Sequence, residues 1–223
     1  MSKSPTSFRL SYECKATLSE MAEFLQLTQA DMIELSSKYY YEERMPNRRP
    51  SRNSESMKKR SGMNMRISTA DLCDEHPETV RAYEPIFRSF GARESFGGPV
   101  RTVRVHEDNV LVEAALGDVE PGTVLVVDGG GSRRCALLGG RLAEMAASRG
   151  LAGVVVYGCV RDTAELARTE TGILALAPHP RKSRKNGAGE RDVAVEFGGL
   201  SLAPGEYLYA DPDGVIAAGR ALL

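Results

Sequence analysis

Residues 124–140 read Val-Leu-Val-Val-Asp-Gly-Gly-Gly-Ser-Arg-Arg-Cys-Ala-Leu-Leu-Gly-Gly, and residues 153–165 read Gly-Val-Val-Val-Tyr-Gly-Cys-Val-Arg-Asp-Thr-Ala-Glu. Each begins with a short, wholly apolar, β-branched run that ends in glycine, the pattern of a strand buried on both faces. Between them, Leu142 to Ser148 has helical spacing and is closed by Gly150, and Asp162 to Arg168 reads as a second helix. Upstream, Val100 to Val105 alternates as a strand and Asp108 to Leu116 reads as a helix. Strand and helix therefore alternate, which predicts parallel pairing with right-handed crossovers.

After His179 the pattern changes. Short β segments at Val193 to Phe197, Ser201 to Leu202, Tyr207 to Tyr209 and Val215 to Ala217 are separated by Gly198-Gly199, Pro204-Gly205 and Asp211-Pro212-Asp213-Gly214, and no helix fits. The expected fold is α/β in three layers: helices, a parallel central sheet, and a smaller antiparallel sheet over its other face.

The chain has 223 residues, 42% apolar and 26% charged, with a formal net charge of −1. These values describe an ordinary globular protein and exclude a chain that coats nucleic acid through an overall positive charge. No apolar run approaches the roughly 18–20 residues of a membrane helix, and the N-terminus has no apolar secretory core. A cytoplasmic location is expected, with direction to an organelle by the N-terminal residues as the alternative. Cysteines 14, 73, 135 and 159 form no C-x-x-C pair, which predicts reduced thiols and no zinc knuckle.

Composition shifts near residue 66. Residues 1–66 carry twelve Lys and Arg against eight Asp and Glu, net +4, whereas 67–223 carry seventeen against twenty-two, net −5. The first part holds a loose helical pattern from Leu18 to Tyr41, then a basic, polar stretch over 44–66 expected to be a disordered arm. Residues 67–223 form the expected folded domain.

Three features could carry chemistry. The run Gly129-Gly130-Gly131 follows a strand, but Arg134 occupies the third glycine position of G-x-G-x-x-G and no G-x-x-x-x-G-K-S/T occurs, so a tight turn is favoured over a nucleotide or methyl-donor loop. The loop Leu137-Leu138-Gly139-Gly140 runs into a helix whose first N–H groups lack internal partners and suit a small carboxylate. Third, Asp162 and Glu165 lie one turn apart beside Arg161. They form either a local capping box, D-x-x-E, or a pair of hard oxygen donors for Mg²⁺ or Mn²⁺. Arg161 would then meet an anionic substrate. His76, His106 and His179 are read as packing or surface residues.

These blocks resemble the regulator of ribonuclease E activity A family, which also contains the class II 4-hydroxy-4-methyl-2-oxoglutarate aldolases. The resemblance runs through 67–223: Thr69-Ala70-Asp71-Leu72, Glu107-Asp108-Asn109, Asp128 to Gly140, Gly158 to Glu165, His179-Pro180-Arg181-Lys182-Ser183, Gly189 to Val193 and Asp211 to Gly214. Gly140, twenty residues, Arg161, Asp162, two residues and Glu165 satisfy the aldolase-associated form G-x20-R-D-x2-E/D. The resemblance implies a swivelling β/β/α domain and a metal-dependent lyase. Asp162 would be the metal ligand, Glu165 would act on the metal through water, Arg161 would contact the substrate's keto or enolate oxygen, and the Leu137, Leu138, Gly139 and Gly140 backbone would grip the carboxylate of a small 2-keto acid. Retro-aldol cleavage would give pyruvate, and oxaloacetate decarboxylation would share the enolate. It also implies a homotrimer or dimer of trimers, and, as the alternative function, a non-enzymatic inhibitor of an RNase E-like ribonuclease. No membrane and no direct nucleic-acid contact are expected.

Overall fold

The computed structural model describes residues 67–223. The helical segment expected over 18–41 and the basic arm over 44–66 lie outside the described residues. Helix α1 (Thr69–Glu75) is capped by the Ser68 hydroxyl, which accepts from the Asp71 N–H, and ends before Pro77. Strands β1 (Val80–Ala82), β2 (Arg88–Ser89) and β3 (Phe96–Arg104) follow. The alternating unit is α2 (Val110–Asp118), β4 (Val124–Asp128), β5 (Ala136–Leu138), α3 (Gly140–Ser148), β6 (Gly153–Val160), α4 (Thr163–Leu166) and β7 (Gly172–Pro178). Strands β8 (Glu190–Arg191), β9 (Val195–Phe197), β10 (Leu200–Leu202), β11 (Tyr207–Asp211) and β12 (Gly214–Ala218) complete the described residues.

Strands β3, β4, β6 and β7 are parallel neighbours in that order. The order never reverses, so right-handed crossovers put α2, α3 and α4 on one face. Side-chain alternation along β4 shows both faces covered. Leu125 and Val127 pack with Val112 and Leu116 of α2, Leu142 and Ala146 of α3 and Leu166 of α4. Val124 and Val126 point the other way, against Leu208, Ala210, Val215 and Ala217 of β11 and β12 and Val195 and Phe197 of β9. Each such side chain contributes about 1.5–3 kcal/mol when fully buried, which is why the run is uninterrupted rather than alternating with polar residues. A third cluster, Leu72, Tyr209 and Ile216, seats α1 on the outer face of the β11–β12 hairpin.

The three expected layers are present, with one difference in how they are joined. The antiparallel layer is continuous with the parallel one in a ten-stranded mixed sheet, and only β9–β10 stand apart as a two-stranded sheet. Strand β3 is the join: Phe96–Pro99 pairs antiparallel with β11, and Val100–Arg104 pairs parallel with β4. The Gly97-Gly98 step allows the close approach this requires. A Cβ on Gly97 would lie 2.4 Å from Tyr209 Cδ1, and one on Gly98 would lie 2.1 Å from the Gly122 carbonyl oxygen. A second close approach lies deeper, where the Phe96 ring covers Gly153 and Gly172, register partners on β6 and β7.

Cys73, Cys135 and Cys159 are free thiols, and burial pushes Cys135 and Cys159 above the usual thiol range. No helix among the described residues is long and apolar enough to cross a membrane.

Candidate active site

The site lies at the carboxyl ends of β5 and β6. Of the stretch expected to be a loop over 137–140, Leu137 and Leu138 instead end strand β5, paired parallel with β6, Gly139 is the cap position and Gly140 the first residue of α3. Leu137 and Leu138 bury their side chains in the helix-side core, so only their backbones face outward. The Leu138 carbonyl accepts from the Arg161 N–H at 3.0 Å, and the Leu137 carbonyl accepts from Asn109 Nδ2 at 3.2 Å.

Helix α3 begins at Gly140 with Gly139 at its cap position, so neither residue offers a capping side chain. The cap comes from a distant residue, because Asp162 Oδ2 accepts from the Gly140 N–H at 3.1 Å. A carboxylate there also meets the positive end of the helix. Asp162 itself sits in the left-handed region at φ 59°, and its side chain makes no cap bond to α4. This overturns the local capping-box alternative. The left-handed backbone turns the carboxylate away from the N–H groups of α4 and toward α3.

Glu165 converges on the same turn. A Cβ on Gly140 would lie 1.7 Å from Glu165 Oε2, and a Cβ on Gly139 would lie 2.7 Å from Asp162 Oδ2 and 3.1 Å from Arg161 Nε. Two glycines therefore leave the space into which two carboxylates and a guanidinium fit. Arg161 Nε stands 3.5 Å from Asp162 Oδ2, with both side chains about two-fifths exposed. Among the described residues, Asp162 Oδ1 and the N–H groups of Gly139 and Arg141 have no protein hydrogen-bond partner. Among the described residues no three or more His, Cys, Asp or Glu side chains are grouped so that they could hold a metal ion by themselves. The donor set suits Mg²⁺ or Mn²⁺, hard cations that use one or two carboxylates and complete their shell with water and substrate oxygens. Asp162 would hold such an ion directly, with Glu165 beside it.

Asp162, Arg161 and Gly139, but not Glu165, line a cleft of about 180 Å³ shared with Asn109, Ala136, Leu138, Arg141, Leu142, Lys182, Ser183 and Lys185. Four cations face a single carboxylate in that lining, so the cleft favours an anion. Two of the cations are occupied: Arg141 and Lys185 both pair with Glu113, at 2.8 and 3.3 Å. The Arg141 hydrogen bond holds the Glu113 carboxyl below its usual range, against the opposing effect of burial, and Lys185 adds to it. Asn109, Arg141, Lys182, Ser183 and Lys185 were not singled out from the sequence as site residues. They arrive from the start of α2, from α3 and from the 179–187 loop; Asn109, Lys182 and Ser183 fall in blocks that carried the family resemblance, but no role was attached to them there.

That loop is tied down by Asp108, 1% exposed, whose carboxylate accepts from the backbone N–H groups of Val110, Asn186 and Gly187. Burial works to raise its pKa, but the three backbone donors outweigh this and hold it below the ordinary value of 3.8. A carboxyl depressed on folding stabilises the protein fully above its unfolded value, and that contribution disappears as pH falls through the lower folded value. Wild-type protein is therefore expected to lose thermal stability below about pH 4, and Asp108→Asn is expected to flatten that dependence. Melting scans from pH 3 to 7 check this, and an unchanged slope in the variant would refute it.

The glycine run after β4 is a structural turn. The Gly130 N–H donates to Asp128 Oδ1, and the Gly129 and Gly131 N–H groups donate to the Tyr157 carbonyl, with Gly130 and Gly131 at positive φ. Its amides are committed within the protein. His106 contacts Arg134 and His179 Nδ1 accepts from the Arg181 N–H; neither lines the cleft.

Comparison with known proteins bears on this geometry. A profile of the RraA-like family, Aldolase/RraA, matches residues 69–217. A protein of Alkalilimnicola ehrlichii named "Putative 4-hydroxy-4-methyl-2-oxoglutarate aldolase" is 54% identical over 159 residues, covering 71% of this chain and 99% of that relative. A solved structure from Geobacillus kaustophilus, named as an S-adenosylmethionine: 2-dimethylmenaquinone methyltransferase, is 54% identical with a TM-score of 0.69, covering 70% of this chain and 97% of its own. The RNA-processing inhibitor RraA from Thermus thermophilis is 50% identical with a TM-score of 0.69, covering 71% and 96%.

Proposed function

Since the chain belongs to the RraA-like (Aldolase/RraA) family, we propose that it is a divalent-metal-dependent class II aldolase. It cleaves 4-hydroxy-4-methyl-2-oxoglutarate to two molecules of pyruvate, and decarboxylates oxaloacetate at the same site. The observation that carries this reading is the meeting of Asp162 and Glu165 over the Gly139–Gly140 turn, with Asp162 and Arg161 at the wall of a cleft rich in cations.

The chemistry a cation held by Asp162 supplies when bound is Lewis-acid polarisation of a 2-keto group. The N–H groups of Gly139 and Arg141, at the start of α3, grip the adjacent carboxylate. Arg161 places its guanidinium at the keto oxygen, where negative charge develops as the C3–C4 bond breaks. The proton of the C4 hydroxyl passes to water held by Glu165, and the C4 carbon becomes the carbonyl of one pyruvate. The electron pair of the broken bond forms the enolate, and protonation at C3 gives the second pyruvate. Oxaloacetate differs only in losing CO₂ from the same carbon.

Pyruvate release from both substrates with Mg²⁺, Mn²⁺ or EDTA tests the reading. Turnover above the metal-only background, abolished by EDTA and restored by adding the metal back, is the expected result. Absence of turnover with either metal overturns it.

Similarity to the Thermus inhibitor favours a second reading, a binding protein that inhibits an RNase E-like ribonuclease. Unchanged cleavage by such a nuclease at molar excess of this protein would remove it. A methyl-donor site draws no support from the glycine run, whose amides are held by Asp128 and Tyr157.

A further inference from the structure

Glu113 stands in the first turn of α2 and does not line the cleft, yet its carboxylate holds two of the four cations that do. Oε1 pairs with Arg141 Nη2 at 2.8 Å, and Oε2 pairs with Lys185 Nζ at 3.3 Å. One side chain of α2 is thereby joined to the first turn of α3 and to the 179–187 loop. Both pairs lie near the surface: the Arg141 and Lys185 side chains are 62% and 60% exposed, and that of Glu113 is 32% exposed.

Anchoring is not what such pairs supply. Exposed ion pairs add little to stability, because water screens them and two long side chains must be ordered to make them. The loop is already held by Asp108, whose buried carboxylate accepts from the Asn186 and Gly187 N–H groups, and α3 is seated by Leu142, Ala143 and Ala146 in the core. The effect on charge is larger. With Asp162 as the one carboxylate in the lining, the cleft carries an excess of three positive charges, and Glu113 behind its wall lowers that to two. It also engages the Arg141 and Lys185 side chains, so an anion entering the cleft competes with Glu113 for both of them.

We propose that Glu113 is an internal competitor of the anionic ligand, a carboxylate built into α2 that weakens binding in the cleft and so hastens release of product. The inference rests on the lyase reading for the identity of that product, pyruvate. Four cations around a small cleft attract substrate and product carboxylates alike, and such uniform attraction tightens binding without lowering the barrier between bound states. A fixed anion that neutralises part of the field limits this, and it leaves in place the Gly139 and Arg141 N–H groups and Arg161, which Glu113 does not touch with its side chain.

The test turns on the sign of the effect. With Mg²⁺ present, calorimetry measures pyruvate binding to wild type, Glu113→Gln, Glu113→Asp and the double variant Glu113→Gln, Lys185→Met. Glu113→Gln is expected to bind pyruvate about 3- to 10-fold more tightly at low salt, and the gain to shrink below about twofold in about 0.5 M salt. Glu113→Asp keeps the charge and is expected to stay near wild type, and the double variant to lose most of the gain. A residue that merely positions Arg141 would do the opposite, because its loss would weaken binding. Weaker or unchanged binding in Glu113→Gln, or no binding to either protein, therefore overturns the inference. A melting temperature within about 4 °C of wild type shows that the variant is folded. Turnover of 4-hydroxy-4-methyl-2-oxoglutarate is measured in parallel, with KM expected to fall in Glu113→Gln. Tighter pyruvate binding without turnover refutes the lyase reading and leaves the competitor role standing, whereas turnover with unchanged binding does the reverse.

Discussion

Asp162→Asn is expected to reduce metal-dependent pyruvate formation by about a thousandfold while leaving the fold intact, the loss typical when a principal electrostatic group is removed from an active site. Asparagine is the informative replacement because position 162 is left-handed, at φ 59°. Asn accepts that conformation readily, whereas Asp162→Ala adds about 1–2 kcal/mol of backbone strain and mixes a folding defect with a catalytic one. The asparagine carbonyl oxygen can still accept from the Gly140 N–H, so the start of α3 remains capped. What disappears is the negative charge that would hold the proposed metal ion. Steady-state turnover, Mn²⁺ titration and a melting curve on the same preparation separate the possibilities. Metal-stimulated turnover at wild-type level in Asp162→Asn would mean that the carboxylate serves only as the cap of α3.

The largest expected effect on stability comes from Gly172→Ala. A Cβ at 172 would lie 2.0 Å from Phe96 Cδ1, and one at its register partner Gly153 would lie 2.3 Å from Phe96 Cδ2. The ring is 2% exposed and has packed strands beneath it, so it cannot swing clear as a surface side chain would. Overpacking of this kind costs about 1–3 kcal/mol. For a domain of this size each kcal/mol lowers the melting temperature by about 2–4 °C, so a loss of about 10 °C is at the upper end. The cause is specific enough for a coupling test. Phe96→Leu destabilises alone by leaving a void, but in the Gly172→Ala background it should relieve the clash, and the double variant should be more stable than the sum of the two losses. Additive losses would show that the clash is not with Phe96.

The parts of the fold that could be read from the sequence are those where burial dictates a pattern. Residues 124–127 and 153–157 are apolar on both faces because each run lies between two cores, and the helices between them fix the strand order. The parts that could not be read are short or held by distant partners. Strands β1, β2, β5 and β8 have two or three residues each, too few to show a period. The start of β3, Phe96-Gly97-Gly98-Pro99, has the composition of a turn and becomes a strand only because β11 pairs with it and Tyr209 occupies the space over Gly97. At the site, the one-turn spacing of Asp162 and Glu165 was visible, but the helix they serve was not. Local sequence suggested their own helix, whereas the left-handed backbone at 162 sends both carboxylates to α3. Asn109 and Lys182 could not be placed because nothing in their own segments indicates that β5 passes between them.

The sharing of β3 between two layers also bears on how the chain acquires its structure. Its second half finds β4 only some twenty positions later, but its first half waits for residues 207–210, more than a hundred positions downstream. Until those residues have been synthesised and docked, Phe96–Pro99 is an unsatisfied strand edge beside the uncovered apolar face of β4 and β6. Such non-local pairing is slow, and an exposed edge next to bare apolar surface is where nascent chains associate with one another. Dependence on chaperones during synthesis, and aggregation on refolding from denaturant, should therefore concentrate in the interval before the β11–β12 hairpin closes over that face.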